Sequence, residues 1–135
     1  MNPSFIFVIA GLLQLTLLLM HGLYIAFAHG VLWGTGRRTT AANLTDLDRQ
    51  FERTIVNNSE SMIAFLPVFV AATMIGPLPK VALLAATIYL AARLAFAVIY
   101  LLNVPYIRTA IWFVSVVCII IIAATTLWNM RYAMV

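Results

Sequence analysis

The chain contains few of the residues on which soluble folds and their usual chemistry depend. Charged residues make up 9% of its 135 residues, with four Asp or Glu against eight Lys or Arg. An average soluble domain is about 25% charged and roughly 45–50% apolar, whereas this chain is 64% hydrophobic. The composition therefore excludes a water-soluble globular domain. It also excludes intrinsic disorder, because disordered segments have low hydrophobicity.

Cysteine and clustered charge are equally scarce. Cys118 is the single cysteine, so no internal disulfide can form, and no Cys/His spacing typical of a metal site is present. The net charge of +4 comes from scattered residues that form no basic stripe, which argues against nucleic-acid binding. We therefore expect a protein that has no metal site and no nucleic-acid partner.

Four apolar stretches are long enough to cross a membrane. A helix needs about 20 apolar residues to span the roughly 30 Å hydrocarbon core, and the stretches run approximately over 5–33, 46–75, 80–102 and 105–130. Their hydrophobicity is continuous rather than alternating, which favours helices over barrel strands. Gly76–Pro79 and Asn103–Pro105 predict short turns, which make neighbouring helices antiparallel. We predict an all-α integral membrane protein in which residues 1–135 form a single four-helix bundle, with Asn43 or Thr45 capping the second span.

The distribution of Lys and Arg predicts how the bundle is oriented, because basic residues prefer the cytoplasmic side. Lys80 and Arg131 lie on one side, whereas the first and third connections, counted with the helix ends, carry five arginines: Arg37, Arg38, Arg49, Arg53 and Arg108. We expect these connections in the cytoplasm and both termini in the periplasm or lumen. Minimal loops and the lack of a retention signal favour a bacterial inner membrane.

Polar residues interrupt the second and third spans, where the membrane disfavours them. Asp46 extends a polar stripe that follows one face of the second span at about 100° per residue: Arg49, Arg53, Asn57 and Glu60. Arg93 lies in the middle of the third span. Counting from the shared Gly76–Pro79 turn at about 1.5 Å per residue puts Glu60 and Arg93 at nearly the same height. We therefore expect an ion pair, because an unpaired charge at mid-bilayer costs about 2.5–3.5 kcal/mol on insertion scales.

Two interpretations of these polar residues remain open. The Glu60–Arg93 pair, together with Asn57, could hold helices together and do nothing more. The favoured interpretation is a polar pocket at the cytoplasmic end, because Arg53, Arg93 and Arg108 exceed what one carboxylate can neutralise. Such an excess suits a ligand that carries carboxylates and an amine.

Two polar residues of the first span, Gln14 and His21, are also candidates for contacts inside the bundle. Polar side chains in membrane helices tend to hydrogen-bond across helix interfaces, and we expect both residues to do so. For His21, a contact with a ligand or a role in proton transfer is the alternative.

The polar residues form a pattern that resembles the MAPEG family, the membrane-associated proteins in eicosanoid and glutathione metabolism. Arg53, Asn57 and Glu60 match the family's signature Arg-x-x-x-Asn-x-x-Glu in the second helix. Arg93 and Tyr100 match an Arg that is followed seven residues later by Tyr in the third helix. Each motif alone is weak, but the motifs occur in the right order, and the resemblance covers nearly the whole chain.

This resemblance implies a homotrimer that binds glutathione between neighbouring subunits near the cytoplasmic face. Arg fits carboxylates bidentately, so Arg53 and Arg93 would hold the glutathione carboxylates. Glu60 would accept from the glutathione amine, Asn57 would bond an amide or a carboxylate, and Tyr100 would donate its hydroxyl. Glutathione is then a co-substrate, and no metal is expected in the site.

The resemblance also implies a catalytic pair at the start of the fourth helix. Arg108, behind the Pro105 turn, matches an Arg that lies near the glutathione sulfur, where a cation favours the nucleophilic thiolate. Thr109 stands where some members carry a serine that can reach the sulfur. Val56 and Phe96 stand where some members carry Arg and His. The hypothesis is a glutathione transferase or peroxidase that acts on a hydrophobic electrophile or a lipid hydroperoxide entering from the membrane lipids.

Two other hypotheses belong to different functional classes. A non-catalytic lipid-binding or scaffold member of the same fold would keep the pocket but lack a productive thiolate, so a substitution of Arg108 would separate it from the transferase. A small four-helix multidrug transporter would resemble this chain in length. Such transporters centre their chemistry on a Glu in the first helix, whereas no acidic residue precedes Asp46 here, which argues against that hypothesis.

Overall fold

The computed structural model describes residues 2–36, 45–102 and 104–133. Arg37, Arg38 and Asn43 lie outside the described residues. Within the described ranges the chain forms five helices: α1 (Pro3–His29), α2 (Val31–Thr35), α3 (Asp46–Met74), α4 (Lys80–Leu101) and α5 (Pro105–Ala133). Four of them, all except α2, are long and apolar enough to cross a membrane. The prediction of an all-α membrane protein with four spanning helices is confirmed.

The first span is shorter than the sequence predicts. Helix α1 ends at His29, because Gly30 adopts a positive φ of 89° that only glycine tolerates easily. The short α2 then begins at Val31, so the predicted helix over 5–33 is divided at Gly30. At its other end, α1 begins behind Asn2, whose side chain accepts a hydrogen bond from the Ser4 amide at 3.0 Å.

Helix α3 begins with a capping box that also connects it to α1. Thr45 Oγ1 accepts from the Asp48 amide at 3.2 Å, and the Thr45 amide donates to Asp48 Oδ2 at 2.7 Å. The predicted cap at Thr45 is therefore confirmed. Asp48 is 1% exposed, and its Oδ2 lies 3.0 Å from Nε2 of His29 at the end of α1. One carboxylate thus starts α3 and holds it against α1.

The turn between α3 and α4 follows the predicted breakers. Gly76 has a positive φ of 154°, and Pro79 caps α4, which starts at Lys80. Helix α4 is the most enclosed of the spanning helices and packs most extensively against α5. Alanines dominate its buried positions, and small side chains allow two membrane helices to approach closely.

Stacked aromatic rings occupy the centre of the bundle. The rings of Phe65 and Tyr89 stack with their centroids 4.0 Å apart, and Phe69 stacks on Phe65 at 5.2 Å. The Tyr89 hydroxyl lies 2.9 Å from Ser61 Oγ, so a buried phenol keeps a polar partner. Large apolar side chains on α1 and α5 point outward and are exposed, as expected of a surface that faces lipid.

We predict that Asp48→Ala destabilises the protein by about 1–3 kcal/mol, because it removes the α3 cap and leaves His29 without its carboxylate. Thermal unfolding in detergent measures this loss. Asp46→Ala is the matched control, since Asp46 lies in the same first turn but is exposed. Equal melting temperatures for the two variants would show that the contact between Asp48 and His29 does not hold the helices together.

Candidate functional site

Arg93 is held inside the bundle by two amides of α3. Its side chain is fully buried, with 0% exposure. Its Nε donates to Asn58 Oδ1 at 3.1 Å, and its Nη2 donates to Asn57 Oδ1 at 3.0 Å and to the Asn57 carbonyl oxygen at 3.2 Å. The guanidinium carbon also lies 4.6 Å from the ring centroid of Phe96. The charge is therefore met by oxygens and an aromatic face rather than by a carboxylate.

The predicted ion pair between Glu60 and Arg93 is wrong. Within the described residues Arg93 bonds only amide oxygens, whereas Glu60 is exposed. The depth estimate ignored the rotation of α3 about its own axis. At about 100° per residue, Glu60 points roughly 200° away from Asn58, which faces Arg93. Glu60 is consequently directed outward, where it is available to a ligand or to a neighbouring molecule.

The polar network continues from Arg93 through Asn58 to α1. Asn58 Nδ2 donates to Gln14 Oε1 at 2.7 Å, and Gln14 Nε2 donates to Ser59 Oγ at 2.9 Å. The expectation that Gln14 bonds across the bundle is confirmed. Sequence reasoning missed Asn58, which is 1% exposed. The available signal was the consecutive pair Asn57–Asn58, because two adjacent amides in a helix point to different neighbours.

His21 does not make the hydrogen bond across the bundle that the sequence predicts. Its Nε2 is buried and has no hydrogen-bond partner among the described residues, and its ring stacks on Phe51 with centroids 5.5 Å apart. The predicted hydrogen bond of this nitrogen is therefore absent. Arg93 Nη1 is likewise buried without a partner in the described part of the chain. The network that binds Arg93 thus satisfies two of its three nitrogens.

Three clefts share Tyr100 on the side of the bundle formed by α3, α4 and α5. We name them by their lining residues. The arginine cleft, of about 350 Å³, is lined by Asp46, Arg49, Gln50, Arg53, Tyr100 and Arg108. The aromatic cleft, of about 260 Å³, is lined by Asn57, Phe96, Tyr100, Arg108, Thr109 and Trp112. The glutamate cleft, of about 380 Å³, is lined by Glu52, Arg53, Val56, Asn57, Glu60 and Tyr100.

The clefts bring together all the predicted site residues except Arg93. Four of these residues each line two or more of the clefts: Arg53, Asn57, Tyr100 and Arg108. Glu60 lines the glutamate cleft, and Thr109 lines the aromatic cleft. Arg93 lies behind two cleft-lining residues instead, bonded to the Asn57 side chain and packed against the Phe96 ring. The signature residues therefore divide into an inner arginine and an outer group that a ligand can touch.

Arg108 and Tyr100 form the junction of the clefts. The guanidinium carbon of Arg108 lies 4.6 Å from the ring centroid of Tyr100, a distance at which a cation is attracted to the ring face. The arginine cleft contains three arginines and one aspartate, so its field favours an anion. Among the described residues no group of three His, Cys, Asp or Glu could hold a metal ion. The site can thus bind carboxylates and stabilise negative charge at Arg108.

The family model described as MAPEG family matches residues 5–128. No curated protein and no solved structure matches the chain significantly.

We predict that Asn58→Leu destabilises the protein by about 2–3 kcal/mol, because the buried guanidinium of Arg93 and the amide of Gln14 each lose a partner. The double variant Asn58→Leu/Arg93→Met should recover a large part of this loss, since it removes the buried charge as well. Chemical unfolding in detergent measures both. Strictly additive losses in the two single variants and the double variant would contradict the network.

Proposed function

The chain belongs to the MAPEG family, and on this premise we propose that it is a membrane-bound glutathione transferase or peroxidase. The family and the four apolar helices make it an integral membrane protein, and members of the family generally use glutathione. The observation that carries the proposal is the position of Arg108, which lies over Tyr100 where the arginine cleft and the aromatic cleft meet. Arg108 can therefore contact a polar ligand in the arginine cleft and an apolar ligand in the aromatic cleft at the same time.

The outer residues suit the groups of glutathione. Arg53 lines both the arginine cleft and the glutamate cleft, so it can bind a carboxylate bidentately. Glu60 lines the glutamate cleft and can accept from the amine. Asn57 Oδ1 is engaged by Arg93, which leaves the Nδ2 group of Asn57 to donate to a peptide carbonyl or carboxylate. In this proposal Arg93 orients Asn57 and does not touch glutathione itself.

In this proposal Arg108 activates the glutathione thiol. A guanidinium close to a thiol stabilises the thiolate, which is the nucleophilic form. Tyr100 can donate its hydroxyl at the same place, and Thr109 lines the aromatic cleft beside Arg108. The thiolate would then attack an electrophilic carbon of a hydrophobic substrate, with loss of a leaving group or protonation of the adduct. In a lipid hydroperoxide it would attack the terminal oxygen, which breaks the O–O bond and releases the lipid alcohol. The resulting glutathione sulfenic acid would react with a second glutathione to give the disulfide and water. Both reactions need the same nucleophile, so one site serves either.

The exposed charges of α3 support assembly into a homotrimer. Glu60 is exposed at the midpoint of α3, a helix long enough to cross the membrane, and a charge facing lipid at mid-bilayer costs about 2.5–3.5 kcal/mol. Three further exposed charges extend this face toward the start of the helix: Arg49, Glu52 and Arg53. Neighbouring copies that cover this face would remove the cost and enclose the clefts between subunits. We propose further that these clefts open toward the cytoplasm of a bacterial inner membrane, with both termini periplasmic.

A non-catalytic lipid-binding member of the family is the second candidate. It is favoured by the burial of Arg93, because an arginine that the fold uses internally is not available to a glutathione carboxylate. The arginines that remain could hold the anionic headgroup of a lipid instead. The two candidates differ in whether glutathione binds and in what the loss of Arg108 does.

Glutathione binding to the protein purified in detergent tests the proposal. We predict saturable binding by calorimetry and its loss in Arg53→Ala and in Glu60→Ala, because each removes a partner of a charged glutathione group. Arg131→Ala is the control, since this exposed arginine lies in the last turn of α5, far along the helix from Arg108. No binding by the wild type up to millimolar glutathione would reject the transferase and leave the lipid binder.

Substitution of Arg108 tests the catalytic step. We predict that Arg108→Ala lowers the rate of conjugation at neutral pH at least about 10-fold, because the thiol returns toward its ordinary pKa of about 8.5. The lost rate should be partly recovered at higher pH, where the thiolate forms without help, and partly recovered by Arg108→Lys. A pH-independent loss of rate would assign Arg108 to binding rather than to thiolate formation.

A further inference from the structure

We propose that His29 makes the arginine cleft sensitive to pH, because its protonated imidazole holds the first turn of α3 firmly against the end of α1. The inference concerns side chains that the proposed reaction does not use. Only its effect on the binding of a glutathione derivative rests on the proposed function.

Four side chains join the end of α1 to the start of α3, and we call them the junction cluster: Tyr24, His29, Thr45 and Asp48. Asp48 Oδ2 accepts from the Thr45 hydroxyl at 2.8 Å and from the Thr45 amide at 2.7 Å. Because the single hydroxyl hydrogen of Thr45 is thereby used, Tyr24 is the donor in its 2.7 Å contact with Thr45 Oγ1. Nε2 of His29 lies 3.1 and 3.0 Å from the two carboxylate oxygens. The Asp48 carboxylate is therefore the acceptor on which the junction cluster converges.

His29 is the member of the junction cluster whose charge changes near neutral pH. Histidine ordinarily titrates between about pH 5 and 8, a range in which Asp is ordinarily ionised and Tyr is neutral. A hydrogen bond between two charged groups is stronger than one in which the imidazole is neutral, and the carbonyl end of α1, where His29 is the last residue, also attracts a cation. The two side chains are only 11% and 1% exposed, so salt screens the pair weakly. The junction is consequently strongest when His29 is charged and weakens as pH rises and the proton leaves.

The other groups that face His29 do not replace this charge. In the part of the chain that the structure describes, Tyr24 of α1 meets the imidazole edge-on with centroids 6.4 Å apart. Trp33 of α2 lies against the imidazole at 5.1 Å. Both rings are neutral at physiological pH, so the pairing charge comes from Asp48. His21, the second histidine of the chain, lies about two turns earlier on α1 and serves as a control.

The first turns of α3 connect the junction cluster to the arginine cleft. Residues on both sides of Asp48 line that cleft: Asp46, Arg49 and Gln50. Without the charge on His29, the capped turn keeps its bonds to Thr45 but is held less firmly against α1. The start of a helix frays when its contacts weaken. We therefore expect the polar lining of the arginine cleft to lose order, and its affinity for an anion to fall, as His29 loses its proton.

NMR of His21→Gln in detergent tests the inference without a ligand, because His29 is then the single histidine. The imidazole signal gives the titration of His29, and hydrogen exchange gives protection factors, which are corrected for pH, for the amides of residues 49–52. We expect these factors to fall at least about 3-fold with the same midpoint as the imidazole, and to be independent of pH in His21→Gln/His29→Gln. An imidazole that does not titrate between pH 5 and 9, or protection that does not follow its titration, would overturn the inference.

Binding of S-methylglutathione, which has no thiol to titrate, tests the effect on the cleft. By calorimetry we expect the Kd of the wild type to rise about 3–10-fold from pH 6 to pH 8. The rise should persist in His21→Gln and disappear in His29→Gln. An equal rise in His29→Gln would overturn the coupling between His29 and the cleft. Absence of binding at both pH values would reject the proposed function alone, since the exchange experiment decides the role of His29 by itself.

Discussion

The buried guanidinium of Arg93 is the constraint on which the arrangement of this bundle depends. A charge in the middle of a membrane helix must find polar partners within the protein, and here it finds Asn57 and Asn58 on α3. Asn58 in turn bonds Gln14 on α1. The hydrogen bonds of Arg93 and Asn58 therefore fix the rotation and height of α3 relative to both α4 and α1. Apolar packing alone would distinguish few arrangements of these helices.

The rotation of α3 determines which of its polar residues remain for a ligand. With Asn58 turned inward, Arg53 and Glu60 are turned outward and line clefts. Asn57 lies at the boundary, because its oxygen serves Arg93 while its side chain lines two clefts. The inner network and the outer site are consequently coupled through this amide, in addition to the contact of Arg93 with the cleft-lining ring of Phe96. A change to the inner network is therefore expected to reach the outer site by way of Asn57.

Hydropathy and chain breakers predict most of this fold. The spans follow from apolar length, the α3–α4 turn follows from Gly76 and its prolines, and the cap at Thr45 follows from its side chain. The periodicity of α3 also predicts the stripe that lines the clefts. The partners of Arg93 are predicted only in part. Asn57 is grouped with Arg93 correctly, whereas Glu60 is chosen by its height along the helix, which carries no information on rotation. The break at Gly30 is not predicted, because the apolar stretch continues through it.

The central claim is that the outer arginines bind glutathione while Arg93 serves the fold, and the side-chain signals of ¹⁵N-labelled arginine test it most directly. NMR of the detergent-solubilised protein resolves each Nε–H, assigned by single Arg→Lys variants. The account predicts that glutathione shifts the signals of Arg53 and Arg108 saturably and leaves that of Arg93 nearly in place and protected from solvent exchange. A saturable shift centred on Arg93, with Arg53 and Arg108 unmoved, would contradict it.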